Sequence, residues 1–221
     1  MPHVVLLGDS IFDNQSYVRP GEPDVIHQLR ARLPDGWAAT LLAVDGSIIS
    51  SIPRQLASLP SDATHLVISV GGNDALGHLG VLTAPATSVT QALTQLAAIH
   101  DQFEQSYRRM LDAVLARNLP TTVCTIYNGA FPDPAYQRVI TLSVAMWDDV
   151  ILRSAFERDI PALDLRTICS DPADYANPIE PSANGGAKIA SAITALVTTH
   201  DFTRVGHQKY ALISPRLTSG T

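Results

Sequence analysis

"HVVLLGDSIFDN", residues 3–14, starts as a short apolar run, closes on Gly8 and passes into a polar turn around Ser10. A run apolar at successive positions fits a strand buried on both faces of a parallel sheet, since a half-exposed strand would alternate. "THLVISVGG" (64–72) and "TTVCTIY" (121–127) repeat the form, and "WAATLLAV" (37–44) and the short "PALDL" (161–165) add two more strands. Helix-length segments lie between and after them, at 24–33, 51–59, about 88–117, 135–157 and about 183–198. Strand alternating with helix predicts an α/β fold: a three-layer α/β/α sandwich with a parallel, doubly wound sheet and right-handed crossovers. Ligands in such folds bind beyond the carboxyl ends of the strands, so the residues just after each strand carry the functional reading.

At 221 residues and 46% hydrophobic content the chain can bury one sizeable core. The expected organisation is a single domain over 1–200 followed by an extension or arm over 201–221, where periodicity is lost. A formal net charge of -6 without a Lys/Arg cluster argues against nucleic acid or an anionic membrane as partner and favours a small neutral or apolar substrate. No stretch approaches the ~20 apolar residues of a membrane span, and "MPHVVLLGDS" lacks the form of a signal peptide, which leads to the expectation of a cytoplasmic protein. Cys124 and Cys169 have neither C-x-x-C spacing nor neighbouring His ligands, so buried thiols are expected and no metal or other cofactor is implied. Apolar positions on the two long helices are as compatible with a homodimer face as with core packing.

Three strand ends carry candidate chemistry. "GDSIFDN" puts Ser10 in a glycine-supported turn, where its hydroxyl can project beside backbone N–H groups, as an acyl-transfer nucleophile requires; a turn or N-cap serine looks the same in sequence. "GGND" (71–74) allows close backbone approach and offers the Asn73 amide as a donor, or else caps the next helix. "VDGSIIS" contributes Gly46, whose backbone N–H could complete an oxyanion hole.

Taken in order, Gly8-Asp9-Ser10-Ile11, Gly46, Gly71-Gly72-Asn73-Asp74 and the block "NPIEPSANGGAKIA" (177–190) resemble the SGNH (GDSL-like) hydrolase family, over nearly the whole chain to about residue 200. The resemblance implies a flavodoxin-like sheet, Ser10 as nucleophile, and an oxyanion hole made by the Ser10 and Gly46 N–H groups and the Asn73 side chain, with Asp9 and Asn177 in supporting places. It also exposes a departure. Where the family has an aspartate and, three positions on, a histidine, this chain has Asn177 and Glu180.

Three readings of Glu180 stay open. It takes the proton from Ser10 directly, which requires burial to lift its pKa from near ~4.3 toward the ~6.5 of histidine, a gap of about 3 kcal/mol. It orients a histidine from elsewhere, His78 or His207. Or it marks lost activity. Asn177 suits the first reading, because a second carboxylate would repel Glu180 whereas an amide can donate to it. The remaining histidines, among them His3, His27, His65 and His100, look structural. The expected function is a serine-dependent hydrolase of a small-molecule ester, acetyl or short-chain acyl; the alternatives are a catalytically impaired protein that binds an acylated or carbohydrate ligand, or an acyltransferase. "YNGAFPDPAY" (127–136) is the expected pocket wall.

Overall fold

The computed structural model describes residues 1–203; His207 and most of the expected arm lie outside the described residues. Five parallel strands form the central sheet: β1 (His3–Gly8), β2 (Ala38–Leu41), β3 (His65–Ser69), β4 (Thr121–Cys124) and β5 (Ala162–Leu163), in the order β2-β1-β3-β4-β5. The helices in chain order are α1 (Val25–Arg32), α2 (Ile52–Ala57), α3 (Gly72–Gly77), α4 (Val89–Leu115), α5 (Pro134–Phe156), α6 (Leu165–Ile168) and α7 (Ala183–Thr199). The expected sandwich is therefore present, with flavodoxin-like strand order.

Period-two alternation within the buried strands builds two cores. Val4 and Leu6 join Val67 and Leu163 beneath Leu29 of α1 and Ile189, Ile193 and Leu196 of α7. Val5 and Leu7 join Leu66, Ile68 and Val123 beneath α2, α4 and α5, where Tyr107, Leu111 and Ile151 are fully enclosed. Both faces of β1 are covered, which explains a run that is apolar at every step. Helix starts follow their sequence signals: Asp24, Ser88, Asp133 and Ser182 each accept a hydrogen bond from the first turn that follows, and Pro134 opens α5.

Two segments that carried no regular expectation are ordered. Residues after β3 form α3 and then a 3-10 turn over Leu79–Thr83. Before α7, β6 (Tyr175–Asn177) and β7 (Glu180–Pro181) form a small antiparallel hairpin. The expected strand 37–44 ends at Leu41 because the chain then bends: Leu42 and Ala43 both donate to Leu6 O, and Val44 donates to Gly8 O. Among the described residues no helix is long and apolar enough to cross a membrane.

The strand order reverses between β1 and β3, and the exits of these two strands are in contact. Asp9 N–H donates to Ser69 O at 3.1 Å. Gly8, at φ +132°, lies so close to β3 that a Cβ would stand 1.8 Å from Ser69 O. Gln55 of α2 locks the same residue from the other side, accepting from Gly8 N–H and donating to Gly8 O, each at 2.8 Å. Gly8→Ala should therefore cost at least about 3 kcal/mol, read as a lowered midpoint of urea unfolding; a variant as stable as wild type would contradict this account of the β1 exit.

Candidate active site

Ser10, in the turn after β1, donates its hydroxyl to Glu180 Oε1 at 3.1 Å. Ser10 is 7% exposed and Glu180 6%, so the pair is largely withdrawn from water. Glu180 reaches this place because its hairpin is held on every side. Asn177 Oδ1 accepts from the N–H groups of Ile179 and Glu180 at 2.9 and 3.0 Å. Ala130 N–H donates to Pro178 O, the Tyr127 hydroxyl to Ile179 O and Asn14 Nδ2 to Pro181 O. Ser182 N–H donates to Asp174 O, and Gly185 lets α7 start hard against that residue, since a Cβ there would lie 2.2 Å from Asp174 O. These bonds fix the backbone on both sides of the carboxyl and leave its side chain only one route, into the site.

The expectation that Asn177 would donate to the Glu180 carboxylate is corrected by this geometry. Asn177 is exposed, and its side-chain oxygen closes the turn as an acceptor. Such a turn is a common use of asparagine before proline and serves Glu180 through the main chain.

Burial pushes the Glu180 carboxyl up to about 7; the hydrogen bond from Ser10 works against that rise, and the negative charge of Asp45 adds to it. Its second oxygen, Oε2, is buried and without a hydrogen-bond partner among the described residues. Asp9, next to the serine and 3% exposed, is pushed to about 8 by burial and then by Glu180 and Asp74, with the N–H of Ile11 opposing. Asp74 is raised by burial as well, while it accepts from Ile49 N–H at 3.1 Å. Two raised carboxyls, Glu180 and Asp9, thus stand beside Ser10, and the charge of Asp74 acts on Asp9.

Asn73 lines the same cavity and donates Nδ2 to Ser47 O at 2.9 Å. An amide nitrogen carries two hydrogens, so one remains for a ligand. Gly46 sits one residue earlier than Ser47 in an exposed turn and is not part of the cavity wall. His78 does line the cavity, lying flat on Trp147 with ring centroids 5.8 Å apart. The group bonded to Ser10 is Glu180. His3, His27, His65 and His100 lie outside the cavity wall and are engaged with Thr40, Asp24, Trp37 and Asp101 respectively. Cys124 and Cys169 are buried free thiols.

The cavity opens from Ser10 and Glu180 between α3, the 3-10 turn and the first halves of α4 and α5. Tyr127, Asn128, Gly129 and Phe131 of the expected wall segment are there. Sequence reasoning missed Leu76, Leu82, Ile140, Val144 and Trp147; the only available signal was a leucine-rich stretch, "LGHLGVLT" (76–83), directly beyond a strand end. Elsewhere, His100, Asp101 and Glu104 bring ligand atoms within 4.8 Å of one another. Glu104 is already paired with Arg108 and Arg153, so this group reads as an ion-pair network.

The model of the GDSL-like lipase/acylhydrolase family matches residues 6–188. The chain belongs to this family. Solved structures agree in fold. An extracellular lipase from Streptomyces rimosus superposes with TM-score 0.63 at 17% identity, covering 91% of this chain and 100% of that one. A lipolytic G-D-S-L family member from Veillonella parvula gives 0.64 at 14%, covering 90% and 100%. Est24, a carbohydrate acetylesterase from Sinorhizobium meliloti, gives 0.59 at 15%, covering 90% and 99%. At such identities the likeness establishes the SGNH hydrolase fold and no more. No curated protein sequence matches the chain.

The acid cluster predicts an unusual pH dependence of stability. Asp9 and Glu180 have folded-state pKa values above their ordinary range, so between that range and about 7 to 8 the folded chain holds more protons than the unfolded one. Stability must fall as pH rises through this window. Urea unfolding should show wild type weaker at pH 8 than at pH 5, and Asp9→Asn should gain more at pH 8 than at pH 5. Equal gains at both would remove Asp9 from the explanation.

Proposed function

We propose that the protein is a serine-dependent ester hydrolase in which Glu180 takes the place of the family's histidine as the direct base. The observation that carries this reading is the buried 3.1 Å hydrogen bond from Ser10 Oγ to Glu180 Oε1, made by a carboxyl that burial has lifted to about 7. An aspartate or glutamate near its ordinary pKa would be a weak base for a hydroxyl, and at about 7 most of the deficit against histidine is gone.

In the reaction Glu180 removes the hydroxyl proton as Ser10 Oγ bonds to the ester carbonyl carbon, and the carbonyl electrons move onto oxygen. The free N–H of Asn73 and the backbone N–H of Ser10, both at the cavity wall, are the proposed main donors to that oxyanion, with the N–H of Gly46 a third donor from the adjoining turn outside the wall. Collapse breaks the bond to the alcohol oxygen, which leaves with the proton held by Glu180. Water then attacks the acyl-serine, gives its proton to Glu180, and releases the acid as Ser10 recovers its hydrogen. Glutamate becomes neutral on taking the proton, whereas histidine becomes a cation that needs a carboxylate behind it. A direct carboxylate base therefore requires no third member, which is consistent with asparagine at position 177.

His78 is the second candidate base, favoured by its place in the cavity wall. The two are separated by chemistry. With p-nitrophenyl esters, kcat/KM should rise with pH about a midpoint near 7, and Ser10→Ala and Glu180→Gln should each lose at least about 10³-fold. Asn73→Ala should lose about 10²–10³-fold. A fluorophosphonate should label wild type and leave Ser10→Ala unmarked. Turnover that survives Glu180→Gln but disappears in His78→Gln would transfer the base to His78, and a wild type that neither labels nor turns over would leave a binding pocket.

The rising limb also has a built-in control. Asp45 is exposed, yet its charge helps hold the Glu180 carboxyl up. Asp45→Asn should shift the limb to lower pH, since removing a nearby negative charge makes ionisation easier. A shift to higher pH would contradict Glu180 as the titrating group.

A further inference from the structure

The cavity beside Ser10 is much larger than an acetyl group needs. The centre of a water-sized sphere can move through about 110 Å³ of it, several times what one water molecule needs, and it runs away from the Ser10–Glu180 pair along α5 and beneath the 3-10 turn. Asp9, Ser10, Asn73 and Glu180 mark its catalytic end; His78, Asn128 and Ser143 also touch the wall, which is otherwise mainly aliphatic and aromatic. Leu76, Leu82, Leu96, Ile140, Val144 and Trp147 come from four different elements, so this is a shaped space and not the groove of one helix face. Trp147 is 4% exposed and is braced by Phe103 edge-on at 4.7 Å and by His78 stacked on it, which makes that wall rigid.

We propose that this cavity is the acyl site of the reaction and that the preferred substrates carry a linear, medium-length acyl chain. The assignment rests on the hydrolase reading above. Ile140, Val144 and Trp147 mark out two turns of α5, roughly 10 Å at 1.5 Å per residue, about the extent of an eight-carbon chain. Each methylene transferred from water into such a wall is worth about fourfold in binding. A carbohydrate in the same space would leave most of its hydroxyls against aliphatic and aromatic side chains, with only His78, Asn128 and Ser143 as partners along the wall, which opposes its entry. On the acyl side this proposal favours a longer chain than the acetyl or short-chain ester expected from the sequence.

The test compares p-nitrophenyl acetate, hexanoate, octanoate and decanoate, octyl acetate, and calorimetric binding of octanamide, a neutral probe that avoids the carboxyl cluster. Each measurement is made on wild type and on Leu82→Trp, a half-buried position where a larger ring intrudes on the cavity. The expected result is a kcat/KM for octanoate at least tenfold above acetate, a ratio that falls at least tenfold in Leu82→Trp, and octanamide binding weakened in parallel. Acetate cleaved as well as octanoate, with no octanamide bound at millimolar concentration, would overturn the acyl site and leave the hydrolase reading standing. Octyl acetate outrunning octanoate would overturn it too, by giving the cavity to the alcohol. Octanamide bound, and bound less tightly by Leu82→Trp, with no ester turned over would support the chain-binding cavity while sinking the hydrolase reading.

Discussion

The hydrogen bond between Ser10 and Glu180 joins a hydroxyl and a carboxyl that lie 170 positions apart in sequence and are both nearly closed off from water. A bond of this kind adds only about 1 kcal/mol on its own, which is less than the cost of burying a carboxyl without it. Its two ends must therefore be brought together by something else. On one side that is the tight exit of β1, where Gly8 is gripped by Gln55 and pressed onto Ser69. On the other it is the β6–β7 hairpin, clamped by Tyr127, Asn14 and Ala130 and carried by the packing of α7 against α1.

Electrostatics at the site follow from that enclosure. Asp9 feels the negative charges of Glu180 and Asp74, and all three carboxyls are raised mainly by their own burial. A histidine in this company would be drawn toward its charged form and would use a carboxylate as partner. A glutamate in the same place works with the opposite charge logic: its burial, helped by the charge of Asp45, keeps it protonated longer and lifts its proton affinity toward that of an imidazole. On the proposed reading Asn177 and Glu180 belong together: with no imidazole to orient, Asn177 closes the turn that aims Glu180.

Much of the architecture was legible. β1, β3 and β4 announced themselves as apolar runs because they are covered on both faces, and the long helices by their apolar spacing and caps. Ser10, Asn73 and Glu180 were legible as candidates because each follows or precedes a regular element in a family pattern. The α3 and 3-10 region was not, since its glycines and short apolar spacing match no strong helix signal, and α3 is tied down by distant partners, with Asn73 donating to Ser47 O and Asp74 accepting from Ile49 N–H. Asn14 and Trp147 were invisible as contributors to the site because their roles depend on partners at positions 181 and 78, and Tyr127, legible as pocket wall, was not legible as the hydroxyl that donates to Ile179 O.

By itself the sequence determined the class of the fold, the place of Ser10 at a strand end, the family, and the fact that position 180 holds a carboxyl. These follow from local patterns, periodicity and short motifs that a linear chain can carry. Only the tertiary structure decided that this carboxyl touches Ser10, that it is dry enough to titrate near neutrality, and that an aliphatic cavity begins beside it. Contact, burial and enclosed volume are properties of distant segments packed together, and they exist only after the chain has folded.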